Sequence, residues 1–428
     1  MNGRRKWYKT IDWGIVICYF LLFVIGWMSI YSSSSASEGA SIFDMGERSG
    51  KQLLWFGISL VAGCLIMFVI RPQLWEVISP PAYLLVVLML LAVLIFGATV
   101  NGSKSWFQLG PISFQPSELS KITTSLLLAH QLRSTNLNRA GSHGQLILAA
   151  IVAIPALIIF AEGETGTILV YLGFLFVLYR EGLSGWWIAL FGAVVLLFIM
   201  ALITPLWVAL STAAVLVLAY YIFIRKTVVR RKAEKRKLLL ASLGLLAAGA
   251  LVVFSTSFVF DKVLKPYQKN RIEVLFGIKE DPSGVGYNVN QSMIAIGSGG
   301  LFGKGFTNGT QTSCGFVPEQ STDFIFCTIG EEAGFAGCLG VILLFSIMIW
   351  RIIKAADSSR EPFTRAYGFC VAACIFMHMT INIGMTIGLM PVIGIPLPFI
   401  SYGGSSLLAF SVMLFIFLSM VRHERTYF

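Results

Sequence analysis

Charge is scarce in this chain. Only 12% of its 428 residues are Asp, Glu, Lys or Arg, against about a quarter in soluble globular proteins. It therefore lacks the polar surface that a water-soluble domain needs. Histidine is scarcer still, with His130, His143, His378 and His423 scattered singly, which leaves no histidine-rich metal site. The seven cysteines form no C-x-x-C pair and most lie inside apolar stretches, so neither a zinc site nor a disulfide framework is indicated. Short repeats, low-complexity tracts and a separate soluble domain are also missing.

What the chain has is hydrocarbon. Apolar residues make up 56% of it and the mean hydropathy is +0.79. Windows of roughly 20 apolar residues, the length that crosses a bilayer as a helix, recur from end to end. The expected fold is all-α: a polytopic helical membrane protein with about 12 transmembrane helices. The spans are Trp13–Tyr31, Leu53–Ile70, Ala82–Phe96, Leu119–Leu132, Leu146–Ala161, Thr167–Tyr179, Trp186–Ile203, Leu206–Ile224, Leu238–Phe258, Phe324–Trp350, Ala366–Met385 and Leu407–Val421. The two that meet at Thr204-Pro205 are also compatible with one bent re-entrant element. The first segment exceeds a signal-peptide core and reads as a retained helix.

The net charge of +11 suggests nucleic acid until the charges are placed. With the N-terminal Arg4, Arg5, Lys6 and Lys9 in the cytoplasm, most basic residues fall inside. These include the run from Arg225 to Lys237 and Arg71, Arg133, Arg351, Arg365, Arg422 and Arg425. The positive-inside rule is obeyed, so both termini are expected to be cytoplasmic and no nucleic-acid partner is supported. The chain reads as one membrane domain over 1–428, with a large extracytoplasmic loop near 259–322 and a basic cytoplasmic loop near 225–237. Two further outward loops, Asn101–Pro116 and the helix-breaking Gly388–Ser405, face the same side. A site at the outer headgroup level follows.

Asp323 is the leading candidate there. It stands where the polar segment Gly315–Thr322 becomes the apolar run from Phe324. On position alone, either it caps that helix or it does chemistry. Glu331 and Glu332 do not pair with it: at 100° per residue, Glu331 lies about 80° round and Glu332 nearly opposite. Gly330 and Gly334 suggest close packing around those two acids. Glu118 and Lys121, three apart on one helix face, can pair, and either line a cavity or leave Lys121 to reach outward. Glu162 and Glu164 place further carboxylates at the same level, either in the site or as loop residues only. The basic cluster Lys262, Lys265, Lys269 and Arg271, with Tyr267 and Gln268, could hold a pyrophosphate or be a solvated loop face. The glycine run from Gly297 to Gly305 could cradle an anion or simply turn the chain.

Together these segments resemble the SEDS family of bacterial cell-wall polymerases. The resemblance is carried by Trp106, by Phe114-Gln115-Pro116-Ser117-Glu118 with Lys121, and by Tyr267-Gln268 with Arg271. It continues through Gln291-Ser292, Gly303-Lys304-Gly305, Gly309-Thr310-Gln311, Pro318-Glu319, Thr322-Asp323-Phe324, Glu331-Glu332 and Gly394-Ile395-Pro396-Leu397-Pro398 with Ser401-Tyr402-Gly403. It covers nearly the whole chain in the family's order.

The resemblance implies a peptidoglycan glycosyltransferase of the cytoplasmic membrane that polymerises lipid II on the outer face. Asp323 would be its general base and undecaprenyl pyrophosphate the leaving group. It implies substrate-binding roles for Trp106, Glu118, Lys121, Gln268, Arg271, Gln291, Ser292, Ser401 and Tyr402. It also implies a divalent cation (magnesium or manganese) with unassigned ligands, a class B penicillin-binding protein transpeptidase as partner, and elongation-complex membrane proteins around it. Leu301–Gly305 and Gly309–Gln311 favour the elongation branch over the division branch. A lipid-linked precursor transporter is the alternative class, and a scaffold activating a partner synthase a third. Relatives carry His where Ser321 stands, Gln-Pro-Asp where Glu162-Gly163-Glu164 stands, and typically ten spans.

Overall fold

The computed structural model describes residues 10–34, 41–100, 103–109, 112–134, 142–227, 232–258, 260, 262, 269 and 285–427. The expected single membrane domain comes as two compact units: one runs to Gly182 and resumes at Pro282, and the other is Leu183–Asp281.

In the first unit, α1 (Trp13–Ser34), α2 (Arg48–Phe68) and α3 (Gln73–Phe96) lead into three short strands. Then follow α4 (Pro116–Ser134), α5 (Ser142–Glu162), α6 (Thr165–Tyr171) and α7 (Gly173–Arg180). The second unit holds α8 (Gly185–Ile203), α9 (Leu206–Thr227) and α10 (Lys232–Phe258). The first unit resumes with α11 (Val285–Ser298), α12 (Thr310–Ser313), α13 (Ile325–Asp357), α14 (Pro362–Thr386) and α15 (Gly404–Tyr427).

Ten helices are long and apolar enough to cross a membrane among the described residues. The two remaining sequence-expected spans fall on α4 and on the broken pair α6–α7. Helix α4 fails on composition for a physical reason. Its Ser117, Glu118, Ser120, Lys121, Thr123, Thr124 and Ser125 are all buried within protein, so its polar face never meets lipid. Ser120 and Thr124 share the Tyr171 hydroxyl at 2.7 and 3.2 Å. Around Thr204-Pro205 the chain makes two full helices, α8 and α9, rather than one bent element. In that unit Ala209 and Ala213 pack with Leu197 and Val253, and small side chains let the helix carrying Gly249 approach closely.

The segment read as a loop at 101–116 is partly sheet. β1 (Ala98–Val100), β2 (Ser103–Leu109) and β3 (Ile112–Phe114) form an antiparallel meander. Ser103–Leu109 shows no apolar–polar alternation, so its only strand signal is the aromatic pair Trp106-Phe107, and the neighbouring glycines conceal it.

Helix α13 is interrupted at Gly334, whose φ of 65° and ψ of −161° suit only glycine. The glycine turn after α11 fills the break. Phe335 and Ala336 donate to the carbonyls of Gly300 and Leu301, while Lys304 and Gly305 donate to those of Glu331 and Glu332. The N–H groups expected to cradle an anion are therefore partly used to splice this kink. A Cβ on Gly334 would collide with the Gly303 backbone. Gly334→Ala is expected to destabilise the protein by roughly 2–3 kcal/mol, read as a lower apparent melting temperature in detergent.

Candidate active site

Asp323 lies in the turn that leads into α13, half-buried. It does not occupy the capping position. That residue is Phe324, which carries no side-chain cap, and the Thr322 hydroxyl turns back to Glu319. The Thr322 hydroxyl therefore does not cap this helix.

The turn is instead fixed through its carbonyls. Ser321 O accepts from the Tyr402 backbone N–H at 2.8 Å, and Thr322 O from Ser401 Oγ at 2.6 Å. Asp323 O accepts from Asn382 Nδ2 at 2.8 Å, and the same nitrogen donates to Ile395 O at 2.7 Å. Three successive carbonyls are held by groups from α14 and from the segment that follows it. Beside them, Gly394 has a φ of 74°, and a Cβ there would stand 3.1 Å from Asp323 Oδ2. The glycine gives the carboxylate an open flank.

The segment 388–403 is irregular and largely buried, as its prolines and glycines predict. Irregular backbone at that depth needs partners, and polar side chains supply them. Gln52 donates to Ser401 O at 3.2 Å and accepts from the Gly403 N–H at 3.3 Å. Leu397 donates to Ser401 Oγ at 2.8 Å. His378 Nδ1 lies 3.1 Å from Pro396 O, so Nδ1 carries the proton and Nε2 is left to accept.

Its donor is Lys121, 3.0 Å away. Lys121 is 2% exposed, pairs with Glu118 at 2.9 Å and lies 4.9 Å from the Phe410 ring centre. The pair is interior, and Lys121 does not reach outward to the lipid surface. Glu164 reaches the same helix start through Ser117 at 3.2 Å and is bonded by Thr167. Burial pushes its carboxyl above the ordinary range, opposed by the Thr167 bond and assisted by Glu118. Glu162 is buried at the end of α5. Neither acid is a bare loop residue.

One continuous network thus links Glu118, Lys121, His378, the 394–396 backbone, Asn382 and the Asp323 turn. His378 and Asn382 stand four apart on α14, so a single helix face organises both ends. Sequence reasoning assigned neither of them, nor Gln52. The available signal was a polar residue inside an otherwise apolar span. It also passed over Arg48, an exposed guanidinium at the start of α2 that donates to Ser321 Oγ and lies 5.8 Å from the Tyr402 ring centre. Arg48 brings a cation within two residues of Asp323.

The other expected site residues fall as follows. Ser401 is buried and works within the protein, as does Ser292, which donates to Thr386 O at 2.9 Å. Gln291, on the same helix, is half-buried. The ring of Tyr402 lies under Arg48. Trp106 is half-buried on β2, opposite Ala98, in a strand packed on α3, α4 and α5. Gln268 and Arg271 lie outside the described residues.

Glu331 and Glu332 are buried as expected, and their work is structural. Glu331 accepts from Lys304 Nζ at 2.7 Å and from the backbone N–H groups of Thr310, Gln311 and Thr312 at 2.8–2.9 Å. Glu332 accepts from Ser32 and from the Thr307 N–H.

Asn382→Leu keeps the volume but leaves two buried carbonyls unpaired. It is expected to cost about 2–4 kcal/mol of stability and to lower any activity of this site beyond that loss, because the Asp323 turn is released. Turnover per folded molecule is the measurement.

A family model described as "Cell cycle protein", covering FtsW, RodA and SpoVE, matches residues 12–229 and 210–426. Peptidoglycan glycosyltransferase MrdB of Escherichia coli K12 is 31% identical, over 99% of this chain and 97% of that one. Peptidoglycan glycosyltransferase RodA of Treponema pallidum is 32% identical, over 94% and 96%. Among solved structures, a chain from a peptidoglycan synthase complex described as coordinating polymerization and crosslinking is 26% identical. It has a TM-score of 0.68 and covers 98% of this chain and 99% of that one. Thermus thermophilus RodA, at 23% identity and a TM-score of 0.60 over 98% of both chains, shares the fold.

Proposed function

Given that this chain belongs to the FtsW/RodA/SpoVE family, we propose that it polymerises lipid II with Asp323 as general base. The chain is a peptidoglycan glycosyltransferase with a RodA-type role in elongation. The observation that carries the catalytic reading is the Asp323 turn: a half-buried carboxylate on a backbone whose last three carbonyls are each fixed.

In the reaction, the 4-hydroxyl oxygen of the acceptor sugar attacks the anomeric carbon of the donor. Its proton passes to an Asp323 carboxylate oxygen, and the bond from the anomeric carbon to the pyrophosphate oxygen breaks. Undecaprenyl pyrophosphate departs with both electrons of that bond. Positive charge must meet the departing group. Arg48, exposed near Asp323, suits that contact better than Lys121, whose ammonium is already held by Glu118 and His378.

Among the described residues, no three Asp, Glu, His or Cys side chains converge on one point. Glu118 and Glu164 each present one buried carboxylate oxygen without a partner. They suit a magnesium or manganese ion that arrives on the substrate's diphosphate and needs only one or two protein carboxylates. Such an ion would neutralise charge on the pyrophosphate.

The positive-inside distribution supports an inner-membrane protein with this site on the outer side. A class B penicillin-binding protein is the partner that would cross-link the product, as the synthase-complex neighbour suggests. Purified chain, lipid II and that partner, without ATP or a gradient, should yield glycan strands. The chain alone should work weakly. A transporter would move lipid II across vesicles and make no glycan. Absence of glycan from the complete mixture would sink the polymerase reading.

A further inference from the structure

A cavity of about 650 Å³ opens on the membrane face that carries both described chain ends. That face is marked by Asp12, which accepts from Arg351 at 2.7 Å and from Arg425 at 3.3 Å and so ties α1, α13 and α15 together. Asp323 lies at the opposite end of α13, roughly 40 Å away along the helix. This cavity therefore belongs to neither the donor nor the acceptor of the reaction.

Its wall is the turn Phe68–Gln73, between α2 and α3, and one face of the end of α15: Ser419, Arg422, His423 and Thr426. Three positive features converge there. The Arg422 guanidinium lies 4.5 Å from the Phe68 ring centre and donates to Met67 O, using one of its five N–H donors. Arg71 is exposed, and its side chain has no ion pair among the described residues. The N-terminus of α3 opens at the same place, with Pro72 as a cap that offers no side-chain bond. His423 lies 2.8 Å from Gln73 and completes the rim.

No carboxylate lines the cavity. The nearby Glu76, Glu361 and Glu424 line an adjoining one, where Arg133 engages Glu76 and the Arg360 N–H engages Glu424. The volume falls in the range of small-molecule clefts, roughly 300–1,000 Å³.

The level in the membrane identifies the ligand. The cavity lies where three spanning helices end or begin: α2, α3 and α15. Phe68 and Val69, 52% and 70% exposed, stand on its rim, with one face of the Phe68 ring covered by the Arg422 guanidinium, while Arg71 follows them at the turn. Apolar rim on one side and arginines on the other match the boundary between acyl chain and headgroup. A free phosphate would gain nothing from the exposed phenyl and isopropyl groups. We infer that this cavity binds the phosphate headgroup of an anionic phospholipid from the leaflet on the terminal-bearing face, with Arg71 and Arg422 as its cationic contacts.

The test is native mass spectrometry of the full chain in detergent, titrated with phosphatidylglycerol or phosphatidylcholine. Phosphatidylglycerol should be retained in preference. Arg71→Gln should weaken its retention about fivefold, the effect of one arginine near an anionic headgroup. Arg71→Lys should restore most of it. Lys354→Gln, which removes a positive charge from the same face but outside the cavity, should leave retention unchanged. Because Arg71 is exposed and unpaired, the melting temperature should not move. Equal retention of phosphatidylcholine, no effect of Arg71→Gln, or an equal loss with Lys354→Gln would each overturn the site. Complete displacement by millimolar inorganic phosphate would overturn the lipid assignment.

Discussion

Asp323→Asn is expected to lower the rate of lipid II polymerisation by about 10²–10⁴-fold, the usual contribution of a positioned general base. Asparagine keeps the size and the planar end group but cannot take up the acceptor's proton at neutral pH. The bonds that fix this turn are made by the backbone carbonyls of Ser321, Thr322 and Asp323, and they do not involve the exchanged atoms. The variant should therefore keep the backbone geometry of the turn and still bind lipid II. Glycan formation is read by gel with the partner transpeptidase present, so that a docking defect cannot pass for a chemical one. If the variant retains more than about a tenth of the wild-type rate, the base lies elsewhere.

Glu331→Ala should produce the largest loss of stability, about 3–5 kcal/mol, as when one partner of a buried charged pair is removed. The carboxylate is fully buried and gathers donors from a separate segment: Lys304 and the three N–H groups that open α12. Without it those N–H groups lose their acceptor inside the protein. Lys304, a quarter exposed, regains water more easily, so the backbone donors set the size of the effect. Apparent melting temperature in detergent is the readout. Activity per folded molecule should be nearly preserved, which separates this variant from Asp323→Asn. An unchanged melting temperature would mean that the 304–312 segment is held by other contacts.

These two carboxylates show how far residue patterns carry. Both lie at the start of the same apolar run, eight residues apart, and hydropathy treats them alike. Helical spacing set them on different faces, but Asp323 lies in the turn before the helix, where that geometry does not reach. It could not show that Glu331 caps a distant helix, because that helix is brought to it by the Gly299–Gly305 turn packing into the break at Gly334. Spacing did reveal Glu118 and Lys121 as a pair, since i,i+3 contact is local to one helix. The third member, His378, lies 257 residues from Lys121, and its only local trace is a polar residue inside an apolar span.

The sequence by itself determined that this is a multi-span helical membrane protein, because apolar runs of roughly 20 residues satisfy their backbone in lipid by coiling into helices. It also marked Asp323 as the carboxylate at the mouth of a span. Which polar groups hold the backbone turn that carries it was decided by tertiary structure alone. Asn382, Ser401, Gln52 and His378 each pair with backbone far away in the chain. Inside a membrane protein, irregular backbone must find such partners wherever the packing places them. Hydropathy is a sum over neighbours in sequence. A hydrogen bond depends on neighbours in space.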